Sequence, residues 1–423
     1  MLVRNCRLGM SLALCVVAAT IAEPAEHLPG DGDPDALTVT LEVVCAFDPR
    51  LPVLSNSDLK EVLDETRRVL SSKLGTGLKL AFHDNGTIPL DALFKDRGYR
   101  KTRLYRSYAP WKYDMDQGDQ MDIFSDSDAK GWMIEFLKQW DIDALKGFFP
   151  RQDIKTYDDA HFHLMKTYHG KIKWLKTLRD KNGAPLILEP PAPFQSYVEW
   201  MCMMREQDRY DMVITNQLII FDDLGRPYPH AVTKHAKVGG SSFISPKRKA
   251  LDGTSVMISI LETYGEVDGL SMIGSSVPRE GKNKILGGFL MAHELGHAFY
   301  LLFEAYDHGE ACLMNSAFEE MQDYYQGYRI LTRDMSACPK CRPWVAAKGW
   351  VVRAHRAFEM KDYLSAGQLY LKGAAATPEH VDGDYNAYMK RLYRRALDAF
   401  KGAGDSEGMA RAKKLLSNMK RTE

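Results

Sequence analysis

Leu286-Gly-Gly-Phe-Leu-Met-Ala-His293-Glu294-Leu-Gly-His297-Ala-Phe-Tyr-Leu-Leu-Phe303 is an apolar stretch interrupted by two histidines and one glutamate. It contains no proline, and its histidines and glutamate fall within one pentapeptide, so the pattern predicts a single, largely buried helix. On a helix, positions 293 and 297 lie on one face, one turn apart, and both imidazoles reach the same metal ion. Glu294 then stands where it can take a proton from a water that the metal acidifies. Two nitrogen ligands, a general base and a third ligand from elsewhere are the arrangement of a zinc hydrolase. The bland alternative is a surface helix with solvated His and Glu, and the apolar residues around the motif argue against it.

Composition sets the frame for this helix. A chain of 423 residues has material for two or three domains and a large core. Lys plus Arg and Asp plus Glu each total 56, so no global field favours nucleic acid or an acidic membrane. At the N-terminus, Arg4 and Arg7 precede an apolar run from Leu8 to Ala22, which ends before Glu23-Pro24. A basic start, a short apolar run and the exit Thr20-Ile21-Ala22 read as a secretory signal over residues 1–22, too short for a stable membrane span. Export to the periplasm or the extracellular space is therefore expected. Removal of that segment leaves Cys45, Cys202, Cys312, Cys338 and Cys341, an odd set that speaks against a simple disulfide framework. Cys45 and Cys202 lie in apolar segments and read as buried thiols.

Ala36 to Phe47 reads as a strand, Ser57 to Leu74 as an amphipathic helix closed by Gly75, and Leu78 to Phe82 as a second short strand. A stretch rich in Trp, Tyr, Asp and Lys between about 85 and 193 reads as a helical insert. Gln195 to Arg209 is expected to be helical and Asp211 to Phe221 a strand. His230 to Ser245 is expected as an extended edge broken at Gly239-Gly240, and Leu251 to Tyr264 fits either state. Beyond Cys341-Arg342-Pro343 the chain is helical. Phe358-x-x-x-Asp362 recurs loosely as Phe400-x-x-x-Gly404-Asp405, which suggests tetratricopeptide-like hairpins over 344–423 or a simple helical cap.

A catalytic zinc needs a third protein ligand. In the metzincin pattern the second histidine is followed by x-x-Gly-x-x-His, but here Tyr300 and Phe303 hold those positions. Glu304 would lie roughly 10 Å along a continuous helix from His297 and could bind only after an early break. Asp307 and His308 precede Gly309, a place to turn, and His308 is the favoured ligand. Glu319 with Asp323 on a later helix resembles the ligand and supporting carboxylate of gluzincins; the plain reading is an acidic first turn.

The segment that follows, Cys312-Leu313-Met314-Asn315 and then Cys338-Pro-Lys-Cys341, resembles the archaemetzincin family of zinc metallopeptidases. The resemblance covers His293 to Cys341. It implies a metzincin-like zincin domain of α+β class, with a mixed twisted sheet and an active-site helix, over 36–343. It makes Met314 the residue packed beneath the metal, and Cys312, Cys338 and Cys341 ligands of a second, structural zinc. The chain departs from the family in lacking the helix-ending glycine and one structural cysteine, and its ligand loop is longer. If Asp307 binds the catalytic zinc, His308 can replace the missing cysteine. If His308 does, the cysteine site lacks an obvious fourth ligand, and Cys338 and Cys341 could pair as a disulfide.

Asp158-Asp159-Ala-His161-Phe-His163, with His169 beyond, could form a further metal site, but reads more simply as a capped helix start. His230 and His235 lie near the edge strand without a spacing that demands a role. Together these features predict an exported zinc-dependent peptidase with Glu294 as general base, acting on peptide or protein substrates. The extended segment from Lys234 to Ser245 is a place for substrate backbone to pair, and Tyr300 and Tyr306 are nearby hydroxyl donors. Two alternatives stand beside this reading. One is a non-catalytic zinc-stabilised protein that recruits a partner through its C-terminal helices, against which Glu294 argues. The other is a zinc amidase acting on a non-protein amide.

Overall fold

The computed structural model describes residues 37–74, 78–113, 127–149, 151–225, 228–233, 235–245, 253–265, 277–300, 311–315, 324–334, 337–379 and 383–419. The proposed signal over 1–22 lies outside them. Among the described residues no helix is long and apolar enough to cross a membrane.

The fold is a mixed five-stranded sheet with helices on both faces. Strands β1 (Leu37–Phe47), β2 (Leu78–Pro89), β3 (Met212–Thr215), β4 (Gly240–Ile244) and β5 (Thr254–Ser259) lie in the order β2-β1-β3-β5-β4. All pairings are parallel except β4 with β5, which leaves an antiparallel strand at one edge. β1 carries an unbroken buried run from Val43 to Phe47, as a strand covered on both faces requires. Val43, Cys45 and Phe47 join a core with helix α1 (Asn56–Leu74) and the helix that carries the histidine motif. Val44 and Ala46 face the other way, onto Trp200, Cys202 and Met204 of the helix Tyr197–Glu206. The strict alternation of faces assigns each β1 side chain to one core or the other.

Three segments differ from the sequence expectation. The second strand does not stop at Phe82: it runs parallel to β1 as far as Pro89, and Asn85-Gly86, a turn-like pair, forms an irregularity where the register shifts between Val43 and Cys45. Gly86 takes a positive φ of 77° there, which a glycine accommodates without strain. The helical insert therefore begins at Leu90, not near 85. The third strand ends at Thr215, short of Phe221, because Asn216 turns its side chain to the β1–α1 loop. Its Oδ1 accepts from the Asp48 N–H at 2.8 Å and its Nδ2 donates to the Asp48 carbonyl at 2.8 Å. Before β4, the expected extended run is instead a helical turn, Pro229–Thr233, followed by left-handed His235 (φ 74°) and Ala236 (φ 54°). The unsettled segment Leu251 to Tyr264 resolves into β5 and a short turn of helix, Leu261–Tyr264.

The insert has its own core around helix Tyr157–Thr177, with Leu164, Tyr168 and Ile172 fully enclosed. Its lead-in is moored to the body through buried Glu199. That carboxylate accepts from the Tyr99 hydroxyl at 2.6 Å, the Arg100 guanidinium at 2.7 Å and the Tyr105 hydroxyl at 3.0 Å. A buried carboxylate needs this many donors to replace its water.

Among the described residues after Cys341 come four helices, Arg342–Glu359, Tyr363–Ala376, Gly383–Ala403 and Ser406–Asn418, each packed on the next around a separate core. The recurring Phe-to-Asp pattern marks their turns. Asp362 accepts from the Ser365 N–H at 3.2 Å and Asp405 from the Gly408 N–H at 3.0 Å, each capping the helix that follows.

Candidate metal centres

The motif helix forms, but not as one regular helix. Leu286–Met291 is a π-helical turn and Ala292–Tyr300 is α-helical, while 301–303 lie outside the described residues. The π segment brings two glycines against α1. A Cβ on Gly287 would meet the Val62 carbonyl oxygen at 2.2 Å, and one on Gly288 would meet the Tyr328 ring at 2.7 Å. With no side chain in the way, the Thr66 hydroxyl of α1 donates to the Gly287 carbonyl at 3.0 Å. A π turn at this point is the kind of local irregularity that accompanies functional sites.

From this base, His293 and Glu294 point into the interior, each 8 % exposed, and His297 is half-buried. The Nε2 atoms of His293 and His297 lie 3.1 Å apart, with the rings nearly perpendicular at 89°. Two nitrogens bound to one tetrahedral zinc at about 2.0–2.1 Å sit roughly 3.3 Å apart, so the spacing suits a shared metal. On its other side, Nδ1 of His293 lies 2.7 Å from the Leu313 carbonyl oxygen. A carbonyl can only accept, so Nδ1 carries the proton and Nε2 presents its lone pair. This is the outer support that metal-binding histidines commonly have.

Leu313 belongs to the turn Cys312–Asn315, in which the Asn315 N–H donates to the Cys312 carbonyl at 3.2 Å and Met314 is fully buried. The third-ligand candidates Glu304, Asp307, His308 and Glu319 lie outside the described residues, as does Tyr306, and the side chain of Tyr300 is likewise not described.

Glu294 sits beneath the edge strand. A Cβ on Gly240, the first residue of β4, would lie 2.7 Å from Glu294 Oε1 and 2.7 Å from its Cγ. Only glycine lets the strand pass so close to the carboxylate. The preceding Gly239 makes the same allowance for Glu262, whose carboxylate would be 2.6 Å from an added Cβ and which pairs with buried Lys237 at 3.1 Å. The pair Gly239-Gly240, read in the sequence as a break, is thus a close approach over two acidic side chains.

One residue beside the site escaped the sequence reading. Tyr197, half-buried, places its hydroxyl 3.2 Å from that of Ser241 on β4. Burial pushes its phenol above the usual range, and the Glu294 carboxylate adds to that. Only the fold reveals it, since Tyr197 and Glu294 come together through β4 and are 97 positions apart in the chain.

The second cluster is made of thiols. The sulfurs of Cys312, Cys338 and Cys341 lie within 4.8 Å of one another, the sole group of three or more metal-ligating side chains gathered this closely among the described residues. Cys312 and Cys341 are buried, with their sulfurs 3.6 Å apart in a hydrogen bond and no disulfide between them. Backbone amides point at two of them: the Met314 N–H to Cys312 Sγ and the Cys341 N–H to Cys338 Sγ, each at 3.4 Å. Amides aimed at sulfur favour the thiolate form. Without a cation, Cys341 is driven the other way, its thiol raised by the hydrogen bond with Cys312 and by burial. A divalent ion removes that conflict, because a coordinating thiol gives up its proton. The cluster can hold a metal. Cys45 and Cys202, by contrast, are isolated buried thiols, each pushed up to about 12 chiefly by burial.

The insert histidines do not gather. Thr156 and Asp159 form a reciprocal cap at the start of helix Tyr157–Thr177, with the Thr156 hydroxyl accepting from the Asp159 N–H at 3.1 Å. His161 faces the insert core and His169 contacts the Tyr113 hydroxyl at 3.2 Å. The plain reading of a capped helix start accounts for them.

Comparisons with protein-family models, with curated proteins and with solved structures find no match to this chain.

Proposed function

We propose that the protein is an exported, zinc-dependent peptidase of metzincin-like type, similar to the archaemetzincins, with a catalytic zinc at His293 and His297 and a structural zinc at Cys312, Cys338 and Cys341. The observation that carries the reading is the convergence of the two Nε2 atoms at 3.1 Å, with Glu294 enclosed between the motif helix and the edge strand. A purely structural metal site has no need of a carboxylate in that place. When bound, zinc supplies a Lewis acid for the scissile carbonyl and lowers the pKa of water towards neutrality.

The chain's own residues do the rest. His293 and His297 hold the ion, with His308 as the favoured third ligand. Glu294 takes the proton from the attacking water and passes it to the leaving amine. Among the described residues β4 pairs with β5 on one side and is the last strand of the sheet, so an extended substrate can add to its other side. Such a strand would cross the ligand histidines beside Gly240.

Glu294→Gln tests the reading. The variant should keep the metal content of the parent and lose peptide hydrolysis by about three orders of magnitude or more; retained activity would overturn it. Parallel assays on non-peptide amides distinguish a peptidase from an amidase.

A further inference from the structure

We propose that the cysteine cluster braces the histidine site: Cys312, by binding metal together with Cys338 and Cys341, fixes the Leu313 carbonyl that orients His293, and Lys73 is the positioning residue that ties the brace together. The inference rests on the metal reading of both sites given above.

The connection is short. Cys312 is bonded to Leu313, and the Leu313 carbonyl accepts the His293 Nδ1 proton at 2.7 Å. The Met314 N–H and the Asn315 N–H fold back on Cys312, to its sulfur at 3.4 Å and its carbonyl at 3.2 Å. A displacement of the Cys312 sulfur is therefore passed within one tight turn to the group that holds His293. Cys338 and Cys341, however, come from a separate segment, and no disulfide joins it to the turn at Cys312. In the loaded site the metal would supply that link.

Lys73, at the last turn of α1, bridges the same gap. Its side chain is buried, and its ammonium donates to the Ala311 carbonyl at 2.5 Å and to the Asp334 carbonyl. Ala311 precedes Cys312 and Asp334 lies four residues before Cys338, so one side chain holds a carbonyl from each segment. The ammonium is also within electrostatic reach of all three sulfurs. Three thiolates around a dication leave a net negative charge in a buried place, and an ammonium there offsets it. Lysine's three donors suit two carbonyls and a thiolate cluster at once. Because α1 also packs on the π turn of the motif helix through Thr66 and Gly287, the three parts share one support.

The test is a cobalt(II) titration of the full-length metal-free protein, with thiolate charge-transfer absorption reporting the cysteine site and ligand-field absorption the histidine site. In the parent protein the thiolate band should saturate first. Cys338→Ser with Cys341→Ser should remove that band and weaken the histidine site by about 10- to 100-fold, the range for loss of outer support. Lys73→Met should weaken both sites, and Lys73→Arg should restore most of the loss. A histidine-site affinity within twofold of the parent while the thiolate site is empty would overturn the brace. Should the cysteine variant not fold, the parent titration decides: saturation of the histidine band before the thiolate band overturns the proposal. Failure of the underlying reading looks different, because His293→Ala would then leave the metal stoichiometry of the parent unchanged.

Discussion

Gly240 and Glu294 are in contact in a way that no other residue type at position 240 would permit, since an added Cβ would fall 2.7 Å from both Cγ and Oε1 of the glutamate. The edge strand and the Glu294 carboxylate thus define each other's position. Gly240→Ala should displace the carboxylate, leave the two histidines in place and reduce hydrolysis by about 100-fold, in line with the sensitivity of catalysis to misplacement of about 1 Å. Metal content measured alongside activity checks the expectation. Parental activity in the variant would show that Glu294 has no need of this position.

A neighbouring glycine has a different consequence. At Gly287 the clash is with backbone, the Val62 carbonyl at 2.2 Å, and backbone cannot swing aside as a side chain does. Gly287→Ala should separate α1 from the π turn and cost about 2–3 kcal/mol, the usual scale of overpacking in a core. Urea denaturation of parent and variant measures it. Unchanged stability would mean that the π turn relaxes freely.

These two positions also show how far the sequence could be read. The apolar run 286–303 announced the buried helix described over 286–300 and the shared face of His293 and His297, and β1 and α1 were legible from β-branched residues and amphipathic spacing. The Gly287–Val62 approach was not legible, because nothing in the local pattern distinguishes a π turn from an α turn. Asn85-Gly86 looked like a turn and is a bulge, since pairing with β1 outweighs local preference. The expected edge segment 230–245 shrank to Gly240–Ile244 because left-handed His235 and Ala236 redirect the chain before it. Tyr197 could not be placed at the site by any local signal, and no sequence feature singles out Lys73.

His235 offers a pH-dependent test. Its ring lies tilted against Trp174 with centroids 4.9 Å apart, and its Nδ1 lies 3.0 Å from the Lys171 ammonium, so Nδ1 accepts a hydrogen bond and the ring is neutral there. Burial first, then Lys171 and Lys237, push its pKa down to about 4. A folded pKa below the unfolded value of about 6.5 means that the unfolded chain binds the proton more readily, so stability present above pH 6.5 is lost as the pH falls towards 4. The loss from this group should be about 1–2 kcal/mol after allowance for partial exposure. His235→Asn keeps a residue that tolerates the left-handed backbone and removes the titration. Denaturation midpoints between pH 7 and pH 4 should therefore fall less steeply in the variant, and identical slopes would assign the acid sensitivity elsewhere.

The hydroxyl of Tyr197 provides the remaining prediction. Its phenol is pushed above the usual tyrosine range, by burial and then by Asp223 and Glu294 against the opposing hydrogen bond with Ser241, so it keeps its proton throughout the neutral range. On the peptidase reading, a protonated hydroxyl beside the edge strand, within the field of the Glu294 carboxylate, is suited to donate to a substrate carbonyl oxygen as negative charge develops there. Tyr197→Phe preserves the ring contacts with Phe221 at 5.0 Å and Phe243 at 5.9 Å and removes only the donor. On the peptidase reading, kcat should drop by about 10- to 100-fold with little change in KM, because the bond strengthens in the transition state. Ser241→Ala is the control: it removes the hydroxyl's neighbour and leaves the donor, so it should cost much less. Equal losses in the two variants would place the effect in the Tyr197–Ser241 contact itself, and unchanged kcat in Tyr197→Phe would restrict the ring to packing.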